Sequence, residues 1–107
     1  GNRGYLLEVM NAELMPLIDE CYELAKVDAP ELAGLIALDV EVVGDEEIGG
    51  VVEAVAVSDQ SELANAELVE CARESLYATT LPPPPESGRD AFMLSLRVGP
   101  GDGAAAP

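Results

Sequence analysis

The sequence contains no histidine and no tryptophan, one phenylalanine, and five basic residues against 21 acidic ones. Without histidine, acid–base catalysis near neutral pH and most zinc sites lose their usual side chain. The formal net charge of −16 would repel nucleic-acid phosphates and anionic lipid head groups. We therefore expect no nucleic-acid partner and no direct membrane binding, and we expect an aliphatic core.

Long apolar runs are also lacking. None approaches the roughly 20 residues that a membrane-spanning helix needs, and residues 1–4 do not resemble an export signal. The length of 107 residues allows one domain, which we place at residues 5–98, followed by a small, flexible tail at 99–107. We expect this sequence to be one domain of a longer protein that carries its export signal or membrane anchor upstream.

Cysteine is scarce but well placed. Cys21 and Cys71 each lie on the inward stripe of a predicted helix, and no third cysteine is present. This arrangement favours a disulfide between two helices that share a core, and with it an oxidising compartment. Two independent buried thiols that act as small apolar residues are the alternative.

The segment from Tyr5 to Val27 has the periodicity of an amphipathic helix. Pro16 lies inside this pattern and predicts a kink, or a fresh start near Leu14. The predicted inward residues are Leu7, Met10, Leu14, Leu17, Ile18, Cys21, Leu24 and Ala25.

Two runs alternate with a period of two and predict strands with one buried face. They bury Ile36, Leu38, Val40 and Val42 in the first case, and Phe92, Leu94, Leu96 and Val98 in the second. A glycine-rich acidic turn at 44–50 predicts a hairpin, but the inward face of the returning strand, Val51 to Val57, stays ambiguous.

A second helix is predicted from an N-cap at Asn65 to about Tyr77. Its inward stripe comprises Leu68, Cys71, Ala72, Ser75 and Leu76. The prolines at 82–85 predict a stiff connection, with an SH3-type ligand as the sharper and less favoured alternative.

Catalytic residues are not indicated. Asp39 and Glu41 share one face of a strand, where acidic residues usually keep a half-exposed sheet hydrated. The serines have no basic partner at motif spacing, and the acidic turn lacks the ligand spacing of a calcium loop. We expect a binding domain without enzymatic activity, cofactor or metal.

The order of these motifs resembles a known family. The elements are a helix ending in Cys21-Tyr22-Glu23, then Pro30-x-Leu32-x-Gly34, a hairpin whose loop closes on Gly50-Val51-Val52, a helix with Cys71, a proline break and a last strand. In this order they are similar to the C-terminal domain of myxobacterial gliding-associated proteins, the TonB-like AgmX/PglI family. The resemblance covers about Leu6 to Val98. The chain departs from the family pattern at Leu81, where an aromatic residue is usual, and in its acidity.

The resemblance implies an α+β fold like the C-terminal end of TonB and TolA, in the order α-β-β-α-β, with two helices packed on one face of a three-stranded antiparallel sheet. It also implies a periplasmic location in a membrane-anchored or exported envelope-spanning protein that serves energy transduction, transport or gliding.

The expected partner is an envelope or outer-membrane protein that adds a strand to a sheet edge. The predicted edge comprises Ala91, Phe92, Met93, Leu94, Ser95, Leu96, Arg97 and Val98. A self-associating structural domain of an envelope lipoprotein, including a homodimer, is the alternative.

Overall fold

The computed structural model describes residues 2–99, which form a mixed α+β domain. The chain begins with α1 (Arg3–Val9), a π-helical turn (Met10–Leu14) and α2 (Met15–Asp28). The remaining elements are β1 (Gly34–Asp45), β2 (Gly49–Val57), α3 (Ala66–Tyr77), β3 (Thr80–Leu81) and β4 (Gly88–Val98). Apart from Gly99, the predicted tail lies outside the described residues.

The sheet is antiparallel with the strand order β3-β2-β1-β4. It has four strands, so the expectation of three was wrong. The additional strand, β3, is two residues long and pairs with Gly50 and Val51. A two-residue strand has no alternation that a sequence pattern can reveal. The chain around β3 approaches β2 closely at Gly49, whose φ is +108°. A side chain at this position would collide with the carbonyl oxygen of Leu81.

The first helix restarts where the proline predicted. Pro16 occupies the first turn of α2, where its missing N–H group leaves no hydrogen bond unmade. The π-helical turn in front of it contains one more residue per turn than an α-helix, so Val9 and Leu14, five positions apart, are both buried. This extra residue turns α1 by roughly 100° relative to a continuous helix. The predicted inward position of Leu7 was therefore wrong, and its side chain is 53% exposed.

The inward stripe of α2 is shifted slightly from the predicted one. Ile18, Cys21 and Ala25 are buried as expected. Tyr22 is also buried, and its hydroxyl donates to the carbonyl of Leu32. The buried stripe therefore extends toward Tyr22. Leu24 lies beyond the other side of the stripe, so it is turned outward and is 60% exposed, contrary to the prediction.

One face of the sheet packs against the helices. The predicted inward residues of β1 are buried, and those of β4 are buried or half-buried against the same core. This core also contains the stripe of α3, whose N-cap is Asn65 as predicted, with Oδ1 accepting from the N–H of Leu68 at 2.9 Å. The other face of the sheet, which we call the open face, carries Asp39, Glu41 and Arg89.

The ambiguous register of β2 is explained by a β-bulge. Glu41 pairs with Ala54 and Val42 pairs with Val52, so Glu53 is one residue more than β1 requires. The bulge changes the phase of β2 in mid-strand. Val52 and Val55, which belong to opposite registers of a regular strand, are therefore both buried.

Cys21 and Cys71 form a disulfide that joins α2 to α3, as the inward stripes predicted. The S–S distance is 2.03 Å and the two Cα atoms are 5.6 Å apart. The bridge closes a separation of 50 residues. In the chain-entropy model, a loop of this size contributes about 4 kcal/mol to stability.

Candidate functional site

The sheet has two edges of very different length. β3, at one end of the strand order, covers only two residues of β2, whereas β4, at the other end, is paired with β1 along its whole length and has no neighbouring strand on its outer side among the described residues. Unpaired N–H and C=O groups along such a strand form a template for pairing with another chain. We call the outer side of β4 the open edge.

The direction of the backbone groups of β4 follows from β1. The carbonyl of Ala37 accepts from the N–H of Ser58 at 2.9 Å, and its N–H donates to the hydroxyl of Ser61 at 3.0 Å. Both partners lie on the β2 side of β1. Because consecutive residues of a strand direct these groups to opposite sides, Ile36, Leu38 and Val40 direct theirs toward β4.

The pairing register then determines to which side each residue of β4 directs its backbone N–H and C=O groups. Leu94, opposite Leu38, exchanges hydrogen bonds with β1, and so do the other even-numbered residues of the strand. The odd-numbered residues direct both backbone groups to the open edge. These residues are Arg89, Ala91, Met93, Ser95 and Arg97. Of the predicted partner-binding strand, Ala91 to Val98, half of the residues therefore face the open edge and half hold the strand to the sheet.

Side chains of α3 occupy the opposite edge. The N–H of Val55 donates to the hydroxyl of Tyr77 at 3.0 Å, and the guanidinium of Arg73 donates to the carbonyl of Val55. The guanidinium of Arg73 also lies over the ring of Tyr77, 5.7 Å from its centroid, which favours this arrangement. A strand that added to β2 at this point would have to displace both side chains. We call this position the capped edge.

The N-terminal end of α1 is fastened beside β4. The side-chain amide of Asn2 donates to the carbonyl of Glu86 at 2.9 Å and to the carboxylate of Asp90 at 2.8 Å, and its oxygen accepts from the N–H of Glu86 at 3.0 Å. The hydroxyl of Tyr5 donates to the carbonyl of Pro82 at 2.7 Å. Burial, and to a smaller extent the negative charge of Asp90, raises the pKa of Tyr5.

A mainly apolar groove lies between α1 and β4, next to the open edge. It has a volume of about 410 Å³, and we call it the edge groove. Its two walls are held together by the hydrogen bonds of Asn2. The lining residues are Arg3, Leu6, Leu7, Met10, Asp90, Phe92 and Met93.

The open face is exposed, and Arg89 on this face is ion-paired. Arg89 lies 2.9 Å from a carboxylate oxygen of Glu41 and 2.9 Å from one of Glu53, the bulged residue, and both carboxylates raise the pKa of the guanidinium. A shallow depression of about 490 Å³ is lined by Asp39 and by small side chains such as Ala54. Since these groups are half or fully exposed, the ion pairs contribute little to stability.

Sequence reasoning identified β4 but missed the groups that distinguish the two edges. The capping roles of Tyr77 and Arg73 depend on contacts with a strand about 20 residues away, and no local pattern indicates them. The role of Asn2 depends on a partner more than 80 residues away. The exposure of Leu7 had one available signal, which was the proline at position 16.

Among residues 2–99, no cluster of acidic and cysteine side chains has the arrangement of a metal site. Within the same range, no helix combines the length and the hydropathy needed to cross a bilayer. No protein-family model matches the sequence, and no curated protein and no solved structure is significantly similar to the chain.

Proposed function

We propose that this chain is a non-catalytic protein-binding domain that receives an extended segment of its partner as an additional strand on the open edge. The observation that carries this proposal is the difference between the two edges. The backbone groups of the odd-numbered residues from Arg89 to Arg97 are directed outward along β4, whereas Val55 on the other side of the sheet is capped by α3. Main-chain hydrogen bonds supply most of the affinity in this mode of recognition.

The proposed setting is the periplasm, as part of an envelope-spanning protein of the TonB/TolA type, with an envelope or outer-membrane protein as partner. The disulfide between Cys21 and Cys71 supports an oxidising compartment, since such bonds are rare in the reducing cytosol. The order of helix, hairpin, helix and long edge strand supports the resemblance to this type of domain.

The alternative is a self-associating structural domain of an envelope lipoprotein, in which β4 pairs with β4 of a second copy. Two observations weigh against it. Each copy has a net charge of −16. In the antiparallel pairing centred on Met93, Arg89 of one copy would lie directly opposite Arg97 of the other, and since each is already paired with carboxylates of its own copy, neither supplies an attraction between the copies.

The proposal is tested with a proline on the open edge. Ser95→Pro removes an outward N–H group without removing a hydrogen bond of the sheet, while Ser95→Ala shortens the same side chain and keeps the N–H. The oxidised 107-residue chain is used as bait for envelope extract, and the captured protein is then titrated against all three forms. We expect Ser95→Ala to bind like the parent chain and Ser95→Pro to lose binding.

Unchanged affinity of a folded Ser95→Pro variant would contradict strand addition at this edge. Light scattering over a range of concentrations addresses the alternative. A mass that stays at that of one chain contradicts self-association, and a mass that doubles and returns to one chain in Ser95→Pro supports it.

A further inference from the structure

The edge groove and the charge of the chain point to the chemistry of the added segment. Resting on the strand-addition proposal above, we propose that the partner segment is positively charged and places one bulky apolar side chain in the edge groove.

The groove lies where a side chain of an added strand would enter it. Side chains of neighbouring strands at paired positions lie on the same face of a sheet, about 5 Å apart. A partner residue beside Phe92 would therefore project toward the helix side, between Phe92 and α1. There it would contact Leu6, Leu7 and Met10.

Leu7 is available for this contact because of the π-helical turn. In a continuous helix Leu7 would belong to the inward stripe, but the extra residue between Val9 and Leu14 directs it outward, to the rim of the groove. Leu7 is 53% exposed beside the unpaired strand edge and is not among the hydrophobic residues packed against the core of the free domain. Local π-helical insertions are often found at functional sites.

The charges of the domain favour a cationic partner. The chain carries 21 acidic residues against five basic ones. Four of the basic side chains already have partners within the domain: Lys26 with Glu23, Arg73 with Val55, Arg89 with Glu41 and Glu53, and Arg97 with Glu62. The resulting field attracts a basic segment and repels an acidic one, and this attraction weakens as salt is added.

The outward-directed residues in the middle of β4 carry no charge that would oppose such a segment, and at the edge groove, where Arg3 contributes a positive charge and Asp90 a negative one, the proposed partner side chain is apolar. Ala91, Met93 and Ser95 are uncharged, and the arginines at the two ends of β4 are paired with carboxylates of the chain. A second copy of this chain fits less well, because its surface is equally acidic. The segment is therefore expected to alternate apolar residues toward the groove with basic residues toward the open face.

The test uses three synthetic peptides of about nine residues, which is within the usual range of strand lengths. In the first, lysine alternates with valine around one central phenylalanine. In the second, glutamate replaces every lysine. The third has the lysines of the first but alanine in place of the phenylalanine. Each peptide is titrated against the parent chain, Leu7→Ser, Ser95→Ala and Ser95→Pro by fluorescence anisotropy, at low and at high salt.

We expect the lysine–phenylalanine peptide to bind about tenfold or more tightly than the glutamate peptide and severalfold more tightly than the alanine peptide, with affinity falling as salt is raised. Leu7→Ser should weaken binding of the phenylalanine peptide and leave binding of the alanine peptide unchanged. Ser95→Pro should abolish binding, and Ser95→Ala should not.

The contrary outcomes separate the two proposals. Equal binding of the lysine and glutamate peptides, lost in Ser95→Pro, would leave strand addition intact and overturn the cationic partner. If Leu7→Ser prefers the phenylalanine peptide over the alanine peptide by the same factor as the parent chain does, the role of the groove is overturned. Binding of the lysine peptide that survives in Ser95→Pro would show adhesion to the acidic surface, and would contradict strand addition itself. Binding of none of the peptides to the parent chain would overturn the partner chemistry.

Discussion

The hydroxyl of Tyr77 accepts a hydrogen bond of 3.0 Å from the backbone N–H of Val55, and so a helix side chain takes a place that an additional strand would otherwise occupy. Arg73 completes the cap at the carbonyl of the same residue. An unprotected strand edge is a hazard for aggregation, and natural proteins commonly cover it. Among the described residues 2–99, β4 is then the long unpaired side of the sheet.

Removal of the phenolic hydroxyl of Tyr77 should leave the backbone N–H of Val55 without its hydrogen-bond acceptor. In the parent chain, we expect slow hydrogen exchange for the amides of Val55 and Leu94, and fast exchange for Met93, whose N–H is directed outward. Tyr77→Phe should accelerate exchange at Val55 and leave Leu94 unchanged, because Leu94 bonds to β1. Amide exchange followed by NMR measures all three. Equal protection of Met93 and Leu94 would mean that the assignment of outward-directed and β1-directed backbone groups in β4 is wrong.

Reduction of the disulfide should destabilise the domain strongly. The bridge between Cys21 and Cys71 contributes about 4 kcal/mol in the chain-entropy model. In a domain of this size that loss corresponds to a fall of about 10 °C or more in the thermal midpoint. The measurement is thermal unfolding with and without reductant. A Cys21→Ala/Cys71→Ala variant serves as control and should not respond to reductant. An unchanged midpoint after complete reduction would exclude a stabilising role.

Truncation of the core residues that face each other across β1 and β4 should be costly. Leu38 and Leu94 are paired and each is 1% exposed. Leu38→Ala and Leu94→Ala should each lower the free energy of unfolding by about 2–5 kcal/mol. Asp39→Ala, on the open face, should have almost no effect. Denaturant unfolding provides the comparison, and similar losses for all three variants would be incompatible with the observed register.

The stability of the domain should fall at alkaline pH in a way that depends on Tyr5. Burial and the charge of Asp90 raise the pKa of Tyr5 above the ordinary tyrosine value of 10.0. Folding therefore favours the protonated phenol. Its contribution is complete below the unfolded pKa and is lost as the pH rises through the higher folded pKa. Tyr5→Phe should remove this dependence, so the stability difference between parent and variant should shrink above about pH 10. A constant difference would argue against a shifted pKa.

Local sequence patterns were sufficient for the main elements and for several of their faces. The alternation around Leu38 and Leu94 gave the buried face of β1 and β4, because a strand repeats every two residues whatever it pairs with. Asn65 indicated the start of α3, since its side chain caps a neighbour three residues away. The inward positions of Cys21 and Cys71 predicted the disulfide.

Features that shift the phase of an element by one residue needed the tertiary structure. The bulge at Glu53 and the π-helical turn before Met15 each insert one residue, and each moves the side chains beyond it to a different face. A periodic pattern reports only an average phase. It therefore left β2 ambiguous and placed Leu7 in the core.

The candidate site was decided by contacts between distant parts of the chain. The sequence could indicate that β4 is a strand, but which of its residues face outward depends on the side on which β1 lies and on the pairing register. In the same way, the cap on Val55 and the anchoring of α1 by Asn2 join residues 18 to 88 positions apart. Such contacts arise from the packing of whole elements, and so only the folded chain determines which edge is open.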